Sequence, residues 1–208
     1  DKLVYTDKPD FRMTWTDISF SPDEKSVILS VLKEADRTYT NAACIDLEKG
    51  TLKVITDPSK EGSLDGTYML FPWYDENTAY FVSDQTGYPN VYSYNRKSGR
   101  TTRITTNESS LSVDWIEVDG RKYLFGIANN PAQTTVSIID PLNGVVIANE
   151  HYQVTLGIKT TVDNKAYLGA GATDIPFQLW VMTFDGKNLT KEIVVDLPQE
   201  KKDKMIAS

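Results

Sequence analysis

Four segments of this sequence share one plan: an apolar run, a tight turn opened by Asp, and a second apolar run. The turns are Asp23-Glu24-Lys25, Asp75-Glu76-Asn77, Asp119-Gly120-Arg121 and Asp163-Asn164-Lys165, and their first residues lie 52, 44 and 44 positions apart. A second marker keeps step with the first. Gly50, Gly99, Gly144 and Gly186 each follow a third apolar run, at intervals of 49, 45 and 42. A shared period of about 45 residues is the spacing of four-stranded propeller blades.

Each unit divides into four strands, a to d. The expected strands are 17–21, 26–33, 42–47 and 52–56 in the first unit, and 69–74, 78–83, 90–95 and 101–105 in the second. They are 112–118, 122–128, 135–140 and 145–148 in the third, and 155–162, 165–169, 178–184 and 189–195 in the fourth. These runs are rich in Val, Ile, Tyr, Phe and Thr, which suit a pleated surface. In Val91-Tyr92-Ser93-Tyr94 both tyrosines share a face, as a period of two requires. Asn143-Gly144 and Asp185-Gly186 supply the positive φ that tight hairpins need. The predicted fold class is therefore all-β, a β-propeller with four recognisable blades at about 12–56, 68–105, 111–149 and 153–197, in one domain or propeller segment over 1–208.

A twisted four-stranded sheet cannot bury both faces alone, so a blade needs neighbours. Residues 1–6 and 203–208 are expected to be strands of adjoining blades, which makes the chain part of a larger ring of roughly six to eight blades. The alternative is a small closed ring whose terminal strands pair.

Charge and cysteine content narrow the partners. Twenty-nine acidic against 22 basic side chains leave a net charge of −7, without the basic cluster that a nucleic-acid partner requires. No stretch approaches the roughly 18 apolar residues of a membrane span, so no membrane insertion is expected. Cys44 is the sole cysteine and lies in the apolar run Ala42-Ala43-Cys44-Ile45, as a small buried residue would.

The second unit carries a family resemblance. Its run Tyr80-Phe81-Val82-Ser83-Asp84-Gln85-Thr86-Gly87-Tyr88-Pro89-Asn90-Val91-Tyr92-Ser93-Tyr94, closed by Thr102-Arg103-Ile104-Thr105, resembles the repeat of TolB-like (WD40-like) propellers. In that repeat Ser-Asp, a Gly and then Asn or Gln precede a Val/Ile-Tyr strand. A similar repeat forms the N-terminal propeller of the prolyl oligopeptidase and dipeptidyl peptidase IV group. Phe20-Ser21-Pro22-Asp23-Glu24-Lys25 matches the repeat's opening, with Glu24 where the family usually has Gly. The third and fourth units keep only turns and spacing. The resemblance implies fold more than function. It also implies a periplasmic or extracellular location.

Catalytic chemistry is not legible. The oligopeptidase relatives keep their nucleophile in an α/β-hydrolase domain, on a Gly-x-Ser-x-Gly elbow. That pentapeptide does not occur here; Gly62-Ser63-Leu64-Asp65-Gly66 has the wrong spacing. The single histidine, His151, is expected in a solvated link between the third and fourth units. Neither a Cys/His pair at ligand spacing nor a calcium loop appears, so no catalytic residue, metal or cofactor is assigned.

A binding face follows from strand alternation. The a–b and c–d turns lie on one rim, short and polar; the b–c and d–a loops lie on the other, longer and more aromatic. On that second rim Arg37, Tyr39, Tyr88, Tyr152 and Phe177 are the expected contact residues, on loops stiffened by Pro89, Pro131 and Pro176. Trp15, Trp73, Trp115 and Trp180 are expected to pack between blades. The leading expectation is a non-catalytic module that binds protein or peptide. The rival is the substrate-gating propeller of a prolyl oligopeptidase-type serine peptidase, with its hydrolase domain elsewhere in the parent chain.

Overall fold

A computed structural model describes residues 10–33, 36–56, 67–70, 73–172 and 177–196. The expected terminal strands at 1–6 and 203–208 lie outside them, as does Pro176. Among the described residues sixteen strands form four antiparallel four-stranded meanders. The first sheet is β1 (Phe11–Phe20), β2 (Ser26–Lys33), β3 (Asp36–Asp46) and β4 (Thr51–Val54). The second is β5 (Thr67–Leu70), β6 (Thr78–Ser83), β7 (Asn90–Asn95) and β8 (Arg100–Arg103). The third is β9 (Ser110–Val118), β10 (Arg121–Asn129), β11 (Thr134–Ile139) and β12 (Val146–Tyr152). The fourth is β13 (Thr155–Val162), β14 (Lys165–Gly171), β15 (Gln178–Phe184) and β16 (Leu189–Asp196). The all-β, blade-like architecture expected from the repeat is thus present. The chain forms two compact units, Asp1–Glu108 and Ser109–Ser208, each with two sheets.

The strands found at their expected limits, β2, β6, β7, β13 and β15, are bounded by well-marked turns. Larger differences have local causes. β1 begins at Phe11 because residues 14–17 bulge out between the Met13–Val31 and Ile18–Leu29 pairs. β3 begins at Asp36 rather than at 42, because Asp36 pairs with Lys33 across a second irregularity. Trp73 follows β5 instead of lying within it, and β12 runs on to Tyr152.

The turns explain both repeat markers. In three c–d turns the glycine amide bonds back to the carbonyl four residues earlier, Gly50 to Asp46, Gly99 to Asn95 and Gly144 to Asp140, at 2.8–2.9 Å. The same Asp or Asn side chains accept from amides inside the turn: Glu48 and Lys49 on Asp46, Ser98 on Asn95, Leu142 on Asp140. The three glycines have φ of 62°, 68° and 74°, which a side chain resists. Glu24 has φ 56°, so the position where the family repeat usually carries Gly is a left-handed one.

In unit 1 the two sheets pack through Ile28, Ala42 and Cys44 against Trp73, Ala79, Phe81, Tyr92 and Tyr94. The opposite face of the first sheet gathers Val27, Leu29, Val31, Ala43 and Ile45, as alternation along β2 and β3 demands. In unit 2 one core joins Phe125, Ile127, Val136 and Ile138 to Leu156, Leu168, Trp180, Met182 and Phe184. Each fully buried Phe or Leu contributes about 2–3 kcal/mol of transfer free energy.

A polar clamp ties the rim of unit 1. Arg96, in the c–d turn of the second sheet, forms a fork on Asp23, in the a–b turn of the first, with Nη1–Oδ1 at 3.1 Å. Arg96 also donates to Ser26 Oγ at 3.1 Å and stands 5.8 Å from the Trp73 ring centroid. Trp73 Nε1 donates to the Ser19 carbonyl at 2.9 Å. The Arg96 hydrogen bond holds the Asp23 carboxyl well below the usual carboxylate range, helped by Ser21 Oγ and the Lys25 amide against the opposing effect of desolvation.

A depressed native pKa gives stability that is fully present above the unfolded value of about 4 and is lost as pH falls towards the native value. Asp23→Asn should therefore destabilise the protein at pH 7, and the gap from wild type should narrow at pH 3. Urea midpoints at the two pH values check this; an unchanged gap would mean that the clamp's charge is irrelevant.

Candidate functional site

The b–c turn of the second sheet is the best-built feature of its rim. Gly87, at φ 95°, closes it by donating its amide to the Asp84 carbonyl at 2.7 Å. Ser83, Asp84, Gln85 and Asn90 are all buried there. Asn90 is the knot: its Nδ2 donates to the carbonyls of Tyr88, at 2.9 Å, and Asn107, at 3.2 Å. Its Oδ1 accepts from Thr105 Oγ1 at 3.0 Å and the Asn107 amide at 2.6 Å. Thr105 Oγ1 in turn caps the Val91 amide at 2.9 Å. Thr56 Oγ1 caps Ala42 identically in the first sheet, at 2.9 Å, so the Asn and the closing Thr of the repeat share a structural purpose.

That knot presents Tyr88 rigidly, with half its surface exposed. Gln85 Oε1, buried beside it in the chain, has no hydrogen-bond partner among the described residues. Arg37 and Tyr39, expected in a loop, instead lie within β3, in the stretch left unpaired between the Leu32–Thr40 and Lys33–Asp36 pairs. Their side chains are outside what is described, as is that of Trp15. Strand order puts them at the same b–c end of unit 1 as Tyr88.

Tyr152 and Phe177 belong to unit 2. Tyr152 is the last residue of β12 rather than part of a link, and it pairs with Thr134. Its ring meets Trp180 edge-on at 5.1 Å, and Lys191 Nζ lies 5.1 Å from one ring centroid and 4.3 Å from the other. Burial raises the Tyr152 hydroxyl pKa, with a smaller push from Glu150. Tyr152 is therefore packed into unit 2, whereas Phe177, just before β15, is 47% exposed. His151 is likewise a strand residue, exposed, with Nδ1 3.0 Å from Thr135 Oγ1. Trp73 and Trp180 are buried between sheets as expected, and Trp115 is half-buried.

Sequence reasoning missed Asn90 and the Arg96–Asp23 fork. The first was visible as the polar residue before the Val-Tyr strand; the second pairs turns 73 residues apart and left no local signal. Among the described residues no group of three or more His, Cys, Asp or Glu is placed to hold a metal ion.

No protein-family model matches the sequence, and no curated protein matches it. Among solved structures, that of a Mycobacterium tuberculosis puromycin-hydrolyzing peptidase is similar, with a TM-score of 0.60 over 87% of this chain at 13% identity. The match spans only 29% of that peptidase's chain. At this identity the likeness concerns fold alone, an all-β chain of four-stranded antiparallel sheets.

Asn90→Ala should cost about 2–4 kcal/mol, because it strands several buried donors and acceptors. Tyr88→Ala should change stability by less than about 0.5 kcal/mol, as an exposed residue on a turn held by others. Thermal or urea unfolding of the two variants measures the contrast.

Proposed function

We propose that these residues are propeller blades of a prolyl oligopeptidase-type serine peptidase, where they screen peptide substrates for an α/β-hydrolase domain outside residues 1–208. The observation that supports this most is the fold likeness to a peptidase of which the matched blades are a minor part. The lack of a Gly-x-Ser-x-Gly elbow within the 208 residues agrees with a nucleophile carried elsewhere. In this reading the b–c rim of each unit faces the substrate or the hydrolase domain, with Tyr88 as the contact group of unit 1 and Phe177 as that of unit 2. The protein works in the periplasm or outside the cell, as the family resemblance implies.

One observation favours a second reading, a TolB-like module that binds a protein or peptide through the same rim. Tyr88 is an exposed aromatic held by a buried polar knot, which is how a surface supplies contact area at low entropic cost.

A fluorophosphonate probe separates the two readings. Full-length protein should be labelled on one serine outside residues 1–208, and replacing that serine by Ala should abolish both labelling and peptide hydrolysis. Absence of labelling, together with a protein partner whose affinity falls about five- to thirtyfold in Tyr88→Ala, would favour the binding module instead.

A further inference from the structure

The two sheets of unit 1 leave a cleft at the rim that carries the a–b and c–d turns. It encloses about 360 Å³ and is walled by Lys25, Cys44 and Lys53 on one side and by Tyr94, Arg96 and Lys97 on the other. Two carboxylates, Asp46 and Glu48, also line it.

The charges do not cancel. Asp46 is held by Lys49 Nζ at 2.9 Å and by two turn amides, and Glu48 faces Lys25 at 3.3 Å. Arg96 is committed to Asp23. Lys53 and Lys97 remain. Among the described residues Lys53 Nζ reaches only the Gly99 carbonyl, at 3.3 Å, and stands 5.7 Å from the Tyr94 ring centroid. Lys97 makes no ion pair among the described residues. Burial pushes the Cys44 thiol up to about 11 and the Tyr94 hydroxyl up to about 12, so neither adds a competing anion near neutral pH.

Two uncompensated ammonium groups at a concave site focus a positive field on a chain whose net charge is −7. The Tyr94 ring and the aliphatic stems of the lysines offer an apolar wall beside them. We propose that this cleft binds a small oxyanion, a phosphate or carboxylate group, with Lys53 and Lys97 as its counter-charges. Such a ligand touches both sheets and so reports on, and reinforces, the joint between them.

Cys44 gives a readout inside the site. In full-length protein at about pH 9, where a measurable fraction of the Cys44 thiol ionises, iodoacetamide alkylation of Cys44 can be followed on its own peptide by mass spectrometry, in inorganic phosphate, succinate or sodium chloride at matched ionic strength. Phosphate or succinate should slow the reaction, by about tenfold at roughly ten times the dissociation constant. Protection by phosphate alone assigns a phosphate group, and protection by both assigns oxyanions in general; either supports the site. The double variant Lys53→Gln, Lys97→Gln, with an unchanged circular dichroism spectrum, should lose the protection, whereas Lys97→Arg should keep it. Equal rates in all three salts, or protection that survives the double substitution, would overturn the proposal.

Discussion

A four-stranded sheet has two broad faces, and in this chain both faces of the central strands are apolar. Every residue from Ser26 to Val31 is buried, so alternation along β2 sends Ile28 to one side and Val27, Leu29 and Val31 to the other. No isolated sheet can satisfy that demand. Within each unit a second sheet covers one of those faces, with aromatic and aliphatic side chains interleaved at the joint. The polar parts follow from this requirement: turns must end each strand at the right height, and their side chains then lie close enough for Arg96 to reach Asp23.

Much of this was legible because it is local. A continuous apolar run between two marked turns identifies a central strand, which is why β2, β6 and β7 fall at their expected limits. Edge strands are harder. β12 contains Asn149-Glu150-His151, exposed polar residues that resemble a link although they pair regularly with β11. The bulges in β1 and β3 were also hidden, since a bulge preserves composition while breaking the register on which alternation depends. The turn glycines were seen, but the Asp or Asn four residues earlier, which shapes the same turn, was not.

The candidate site divides along the same line. Tyr88 was legible because Asp84 to Pro89 is a self-contained turn whose residues announce it. The sequence places Arg37 and Tyr39 in a loop because the apolar pattern stops before them, whereas β3 begins at Asp36 and carries them in an irregular, unpaired stretch. The sequence marks Tyr152 as a contact residue, and the structure packs its ring on Trp180 beneath Lys191, a partnership between strands that no local pattern reveals. The likeness to a solved peptidase structure agrees with the all-β sheets that the repeat predicts.

The central claim is that the two sheets of a unit are one cooperative object, not two independent ones. Native-state hydrogen exchange on wild type and Trp73→Ala tests it, because the Trp73 side chain lies between the sheets of unit 1 without taking part in any strand ladder. If the sheets depend on each other, the substitution lowers the opening free energy of β2 and β3 by the same amount as that of β6 and β7, about 3–5 kcal/mol for a buried Trp. A loss of protection confined to the second sheet, with β2 and β3 unchanged, would contradict the account.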